Sequence, residues 1–450
     1  MLGILRSPDA QREAKGVKRQ AQSSGIPQSS GGNFRAASSA AATGATKAPY
    51  ALEKWLATRI ADKMGKPPVR LVLWDGSVPY DPGRAIGTIR FRTRAAFWKS
   101  LASPELGMGD AFTTGELSID GDLIDVLYHC AIGIACVGQE RFKRSFFGRL
   151  PVPGINSVAG SAKHIAHHYD LGNDFYRLWL DKQMVYTCAY YPSADASLER
   201  AQFAKMDHVA RKLQLKPGMS VFEAGCGWGA LALHMARRYG VNVCAFNISK
   251  EQLAYARERA AQTGLANRVT FIEDDYRNIR GQCDAFVSIG MLEHVGLDHY
   301  AKLGTIIKQT LAPHGHALVH SVGRARPMPV NAWLEKRIFP GSQPPSISEM
   351  MQIFEPNALV VSDIENLRLH YAQTLTEWLR RFDACIDDVQ ALYDDTFVRA
   401  WRLYLAGCAA SFKASSLQLY QVVVTHPRHN AIPVNRAHLY QEMVSPRWDM

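Results

Sequence analysis

The sequence predicts a doubly wound α/β fold, an open parallel sheet with helices on its faces, preceded by a smaller mixed α+β domain. Three observations carry this. Five short, β-rich apolar runs recur from about residue 219 onward. Helical patterns separate them, and such alternation feeds a parallel sheet. A glycine-rich turn follows the first run directly, where an α/β sheet presents its strand ends to a ligand.

The runs are MSVFEAG (219–225), VNVCAFNIS (241–249), RVTFIEDD (268–275), CDAFVSIG (283–290) and GHALVHSV (315–322). Among the intervening helices are SKEQLAYARERAAQTG and YAKLGTIIKQTLAP. Gly225, Asn247, Asp275 and the segment Gly290 to Glu293 all fall at carboxyl ends of predicted strands. Upstream, LVLWDG and GTIRFRT read as strands of the smaller domain, and LYHCAIGIACVG (127–138) as a buried helix. The expected organisation is a disordered basic tail (1–50), an N-terminal lipid- or membrane-associated domain (51–147), a turn-rich linker (148–164), a catalytic domain (165–425) and a C-terminal tail (426–450). The tail assignment rests on its Ser, Ala and Gly content and on seven Lys/Arg against Asp9 and Glu13.

Composition bounds the function. The 450 residues are 47% apolar and 21% charged, as in a globular protein with a substantial core. A net charge of +11 favours an anionic partner. Roughly half of that charge lies in the tail, which argues for a membrane surface over nucleic acid. No run reaches the roughly 20 apolar residues of a bilayer span. The eight cysteines contain no C-x-x-C pair, so neither a zinc site nor a disulfide framework is expected. A reduced, cytoplasmic setting follows, with peripheral association at the inner face of a membrane. RFKRSFFGRL (141–150), which interleaves basic and aromatic residues, is the candidate contact.

The glycine turn narrows the chemistry. A dinucleotide site wants G-x-G-x-x-G and an acid about 20 residues on. Here the spacing is G-x-G-x-G at 225, 227 and 229, and Phe246 and Asn247 stand where that acid belongs. A Gly-Lys-Ser/Thr phosphate loop is also lacking. A turn open to an amino-acid tail and a nucleoside, without a pyrophosphate, points to S-adenosylmethionine. The sheet is then the class I (Rossmann-like) S-adenosylmethionine-dependent methyltransferase sheet, with Asn247 and Gln252 offering amides to the ribose hydroxyls.

Seven motifs in one order carry a resemblance. They are HHYDLGNDFYRLWLDKQMVYTCAYY (167–191), EAGCGWG (223–229), SKEQ (249–252), DDYR (274–277), SIGMLEHVG (288–296), IFPG (338–341) and HYAQTLTEW (370–378). Together they resemble the cyclopropane-fatty-acyl-phospholipid synthase and mycolic acid methyltransferase family over residues 55 to 425. The resemblance implies transfer of a methylene group from S-adenosylmethionine to the cis double bond of an unsaturated phospholipid acyl chain. A carbocation forms, loses a proton to bound bicarbonate and closes to a cyclopropane. It also implies a bicarbonate cage of Cys188, Glu293, His320 and Tyr371 with backbone near Val322, and Cys408 as a further candidate. Tyr186, Thr187, Glu223, Gly225, Cys226, Gly227, Gly229, Asn247, Gln252, Asp275 and Tyr276 would surround the cofactor.

The chemistry needs a dry, aromatic site that orients the alkene and stabilises a cation. Tyr169, Phe175, Tyr186, Tyr190 and Tyr191 are candidate walls. No covalent intermediate is required, so Cys188 and Cys408 are not needed as nucleophiles. Glu293–His294 and the histidines at 164, 167 and 168 lack the further ligands of a metal site. The expected partners are unsaturated phospholipids and an anionic membrane, with a homodimer as the assembly to test. Two other readings stay open: an acyl methyltransferase with a methyl-branched or exocyclic-methylene product, and a small-molecule N-methyltransferase.

Overall fold

The computed structural model describes residues 48–136 and 171–440. The tail at 1–47, RFKRSFFGRL, the 148–164 linker, the histidines at 164, 167 and 168, and Tyr169 lie outside the described residues.

The larger sheet has seven strands in the order β6-β5-β4-β7-β8-β10-β9. These are β4 (Ser220–Ala224), β5 (Asn242–Asn247), β6 (Val269–Glu273), β7 (Cys283–Ile289), β8 (Leu311–Arg324), β9 (Val360–Asn366) and β10 (Leu417–Thr425). The first five are the predicted runs, and they pair in parallel. Side chains alternate across a strand, and both faces here are apolar. Val221, Ala285, Val287 and Leu318 face one core, while Phe222, Phe286, Ala317 and Val319 face the other. Helices Leu198–Lys212, Ala230–Tyr239 and Lys250–Gln262 contribute to the first core, and Tyr300–Thr310 and Ile347–Phe354 to the second.

The sheet is not wholly parallel. β10 runs antiparallel between β8 and β9, and β9 and β10 are the two strands that the run pattern did not reveal. Helices Arg368–Ala384 and Asp395–Lys413 separate them in sequence. The segment expected as a C-terminal tail packs onto this edge as far as it is described: Leu439 is buried, and its carbonyl accepts from Arg211 at 2.9 Å.

The smaller sheet, β1 (Val69–Val72), β2 (Gly87–Phe91) and β3 (Leu117–Gly121), joins a parallel pair to an antiparallel one. Helices Ala51–Lys63, Arg94–Ala102, Pro104–Thr113 and Leu123–Cys136 surround it. Leu123–Cys136 is helical as expected, with Val126 and Cys130 buried among half-buried neighbours; it touches β1 and β3 and rests on Asp395–Lys413. Lys413 bonds Asp125 across that contact at 3.1 Å. Helix Pro104–Thr113 meets residues 331–338. The Glu105 carboxylate accepts from the Ala332 N–H at 2.6 Å, and Arg337 binds Asp110 through two bonds of 3.0 and 2.8 Å. Between them the Trp333 ring lies on Gly109, where an added Cβ would come within 2.3 Å of it. Among the described residues no helix is long and apolar enough to cross a membrane.

Candidate active site

The turn after β4 is built by three left-handed glycines, Gly225, Gly227 and Gly229, with φ of 85°, 52° and 81°. The amides of Gly225 and Cys226 both donate to Phe246 O, at 2.9 and 3.1 Å, and tie the turn to β5. The glycines do different work. A Cβ on Gly227 would meet nothing within 4 Å, so its backbone stands open to a ligand. A Cβ on Gly229 would strike Phe271 at 2.7 Å and Ala256 at 2.9 Å. Gly229 therefore permits close packing at the start of helix Ala230–Tyr239 and does not line the cavity, a correction to the expected cofactor set.

Beyond the turn lies a cavity of about 460 Å³. Every other expected site residue lines it. Towards the turn are Glu223, Gly225, Cys226, Gly227, Asn247 and Gln252, and Tyr186, Thr187, Asp275 and Tyr276 also line the cavity. Towards the far end are Cys188, Glu293, His320, Tyr371 and Cys408. Asn247 Nδ2 donates to Gln252 Oε1 at 2.8 Å and to Gly227 O at 3.3 Å, and so fixes the rim. Asp275 is held by Arg277, whose N–H and guanidinium donate to it at 2.9 and 3.2 Å.

Lys205 was missed by sequence reasoning. It is fully buried, lines the cavity, and donates to Thr187 Oγ1 at 3.0 Å. Burial pulls its ammonium down to about 8, partly offset by Asp181, Cys188 and Glu223. Burial pushes the Glu223 carboxyl up to about 8, with Lys205 opposing, and Glu223 Oε2 has no hydrogen-bond partner among the described residues. The signal was present: Lys205 sits four residues after Ala201 and four before Val209, on the core-facing stripe of its helix.

At the far end, Glu293 is placed by a short 3₁₀ turn that follows β7. Its Oε1 accepts from Val322 N–H at 2.6 Å, whereas Oε2 is buried without a partner among the described residues. The Val322 amide of the expected cage is thus engaged by Glu293 itself. Burial pushes the Glu293 carboxyl up to about 7. His320, from β8, is buried and kept neutral by desolvation and by Lys205 and Lys212. The Tyr371 hydroxyl is held in its neutral form, chiefly by burial. Cys188 Sγ donates to Ala189 O at 3.1 Å, and burial raises its thiol well above the usual range. Cys408 is likewise pushed up to about 12. Neither is a thiolate at neutral pH.

Of the expected aromatic walls, Tyr186 lines the cavity and bonds Tyr404 hydroxyl to hydroxyl at 2.7 Å. Phe175 instead packs edge-on among Trp179, Phe382 and Trp401. Tyr190 is stacked between His208 and His370, and the Tyr191 backbone bonds His370. None of these three lines the cavity, because all are committed to packing between elements. The wall comes instead from Phe339, Leu375, Tyr404, Phe412 and Leu419, with Leu334 from the strap at 331–338 and Glu105, which bonds that strap.

The family described as "Mycolic acid cyclopropane synthetase" matches residues 157–422. The chain belongs to this family. It is 36% identical over 360 residues to the cyclopropane-fatty-acyl-phospholipid synthase of Escherichia coli strain K12, covering 79% of this chain and 92% of that one. It is 33% identical over 390 residues to a probable fatty acid methyltransferase of Pseudomonas putida, covering 83% and 96%. The crystal structure of mycolic acid cyclopropane synthase CmaA1 complexed with SAH and CTAB superposes with a TM-score of 0.56 at 30% identity, covering 58% of this chain and 97% of that one. The fold is accordingly that of the class I methyltransferases, and this family member is an S-adenosylmethionine-dependent enzyme acting on lipid acyl chains.

Proposed function

We propose that the enzyme transfers a methylene group to the cis double bond of an unsaturated phospholipid acyl chain and closes a cyclopropane. The observation that carries this is one cavity with two unlike ends: a glycine turn beside an unpartnered Glu223 oxygen, and an apolar, aromatic chamber holding the unpartnered Glu293 oxygen. The name of the Escherichia coli relative supports the product.

The first end fits S-adenosylmethionine. Glu223 Oε2 needs a donor, which an ammonium group supplies, and Gly227 leaves its backbone face clear. Tyr186, Thr187, Asn247, Gln252, Asp275 and Tyr276 complete that end. When bound, the cofactor supplies an electrophilic methyl on a sulfonium.

The second end does the protein's share of the chemistry. An alkene is a weak nucleophile, so orientation of the acyl chain by the walls at Phe339, Leu375 and Phe412 matters most. Tyr186 and Tyr404 place aromatic surface where a cation develops, and the apolar lining excludes water that would trap it as an alcohol. Glu293, His320, Tyr371 and Cys188 fit a small oxyanion that also carries an O–H, which is the donor and acceptor pattern of bicarbonate. Bicarbonate would supply a base for one proton. Glu293 Oε2 can accept its O–H, while the Tyr371 hydroxyl and His320 can donate.

Peripheral membrane contact through the N-terminal domain is part of this reading, supported by the net charge and by exposed Leu52, Trp55 and Trp98. A second reading, methyl branching without ring closure, is favoured by the name of the Pseudomonas putida relative. Mass and proton spectra of lipids after incubation with S-adenosylmethionine, bicarbonate and cis-monounsaturated liposomes decide between them. A gain of about one methylene with high-field ring protons supports the synthase; the same gain with a double bond retained, beside a methyl branch or as an exocyclic methylene, supports the second reading. No gain with cofactor bound refutes both.

A further inference from the structure

Behind the cavity, three neighbouring antiparallel strands bring polar residues into one row. His320 on β8 lies opposite Gln421 on β10, and Gln421 lies opposite Glu365 on β9. Directly opposed residues point to the same face of a sheet. All three side chains are therefore neighbours, in a region where buried polar groups must be satisfied. Lys212, the last residue of helix Leu198–Lys212, covers the row. Its Nζ donates to Glu365 Oε2 at 2.6 Å and to Gln421 Oε1 at 2.8 Å. His208, one turn earlier, also bonds Glu365 Oε2, at 2.7 Å.

The direction of each bond follows from chemistry. An ammonium group has donors and no acceptor, so the Gln421 atom facing Lys212 is the carbonyl oxygen. The amide nitrogen of Gln421 then faces His320 Nδ1, at 3.1 Å. An NH₂ group only donates, so Nδ1 must accept and carries no proton. The neutral ring therefore holds its proton on Nε2. That nitrogen has no protein partner among the described residues, and the ring lines the cavity.

We propose that Gln421, oriented by Lys212, which Glu365 holds in turn, is a positioning residue that fixes His320 as its Nε2–H tautomer and so presents a hydrogen-bond donor to the cavity. The inference rests on the proposed function for its consequence: a small oxyanion that also carries an O–H, bound between His320 and Glu293, would find a donor for its anionic oxygen and an acceptor for its hydroxyl. The reversed tautomer would present a lone pair to that oxygen. Lys205 and Lys212 are the charged groups facing His320, and both oppose its protonation, which leaves tautomer choice as the remaining freedom.

The test reads the tautomer directly, without substrate. The full-length protein is labelled with ¹⁵N-histidine, and the ring nitrogens are followed by long-range proton–nitrogen correlation, with His320 assigned by loss of its signals in His320→Gln. The expected result is a bare Nδ1 and a protonated Nε2. Gln421→Glu keeps the shape but replaces the donor with an acceptor. It should move the proton to Nδ1 and lower kcat by on the order of 10², while the Kd for S-adenosylhomocysteine stays within about twofold. Lys212→Met, which frees the amide to rotate, should give both ring forms. A proton on Nδ1 in the unmodified enzyme overturns the proposal, as does a Gln421→Glu variant that retains Nε2–H. Should the tautomer appear as assigned while the unmodified enzyme adds nothing to unsaturated lipid, the relay stands and the proposed function falls.

Discussion

Two alanine substitutions, at Gly227 and at Gly229, separate ligand approach from packing. Both glycines have positive φ, so each Ala variant bears a backbone penalty of about 1–2 kcal/mol. Gly229→Ala adds a collision, since its Cβ would lie 2.7 Å from Phe271 and 2.9 Å from Ala256, both themselves buried. Relief requires those groups to shift, and overpacking of this kind costs about 1–3 kcal/mol more. Gly227→Ala meets no atom within 4 Å and carries only the backbone term. The methyl would instead occupy space reserved for the cofactor. Thermal unfolding should therefore rank Gly229→Ala well below Gly227→Ala, and calorimetric titration with S-adenosylhomocysteine should show the reverse order, with Gly227→Ala the weaker binder. Equal unfolding midpoints, or an affinity loss confined to Gly229→Ala, would refute the division of roles.

Three further outcomes are expected. Glu293 has its folded-state carboxyl raised by burial from 4.5 to about 7, so its contribution to stability is fully present below pH 4.5 and is lost as pH rises through 7. Glu293→Gln should flatten that dependence, worth on the order of 3 kcal/mol across the window, in urea titrations at several pH values, and should lower methylene transfer by about 10² or more. Asp110→Ala should change stability by no more than about 1 kcal/mol, because the Arg337 pair is about one-third exposed on each side. It should nonetheless reduce kcat/KM on liposomes by loosening the strap, measured beside an unfolding curve. Cys408→Ala should retain activity within about tenfold, and alkylation of Cys408 in the native enzyme should be slow at pH 7, as expected for a thiol pushed up to about 12.

The parallel half of the sheet was legible because burial on both faces writes near-continuous apolar runs, as in CDAFVSIG. β9 was not, since its residues alternate between exposed and half-buried and include Asp363, Glu365 and Asn366. It is an edge strand whose pairing comes from β10 and not from its own pattern. β10 is apolar enough, yet it follows a 19-residue helix, and its antiparallel entry between two distant strands leaves no local mark. The glycine turn announced its ligand class through spacing alone. The far end of the cavity did not: Cys188, Glu293, His320, Tyr371 and Cys408 come from five separate elements, and only the family resemblance gathered them. Lys205 and Gln421 escaped because a polar residue at a core position reads, in sequence, as an interruption.

The strap at 331–338 is gripped from the N-terminal domain by one apolar contact, Trp333 on Gly109, and by charged groups at Glu105 and Asp110. These two kinds of grip answer differently to the medium. Ions screen the partly exposed Asp110–Arg337 pair over a Debye length of about 8 Å at physiological salt, while the ring-on-glycine contact is untouched. Salt thus separates the two grips: it weakens the charged one and leaves the ring of Trp333 on Gly109, so the segment is held at high ionic strength by packing alone.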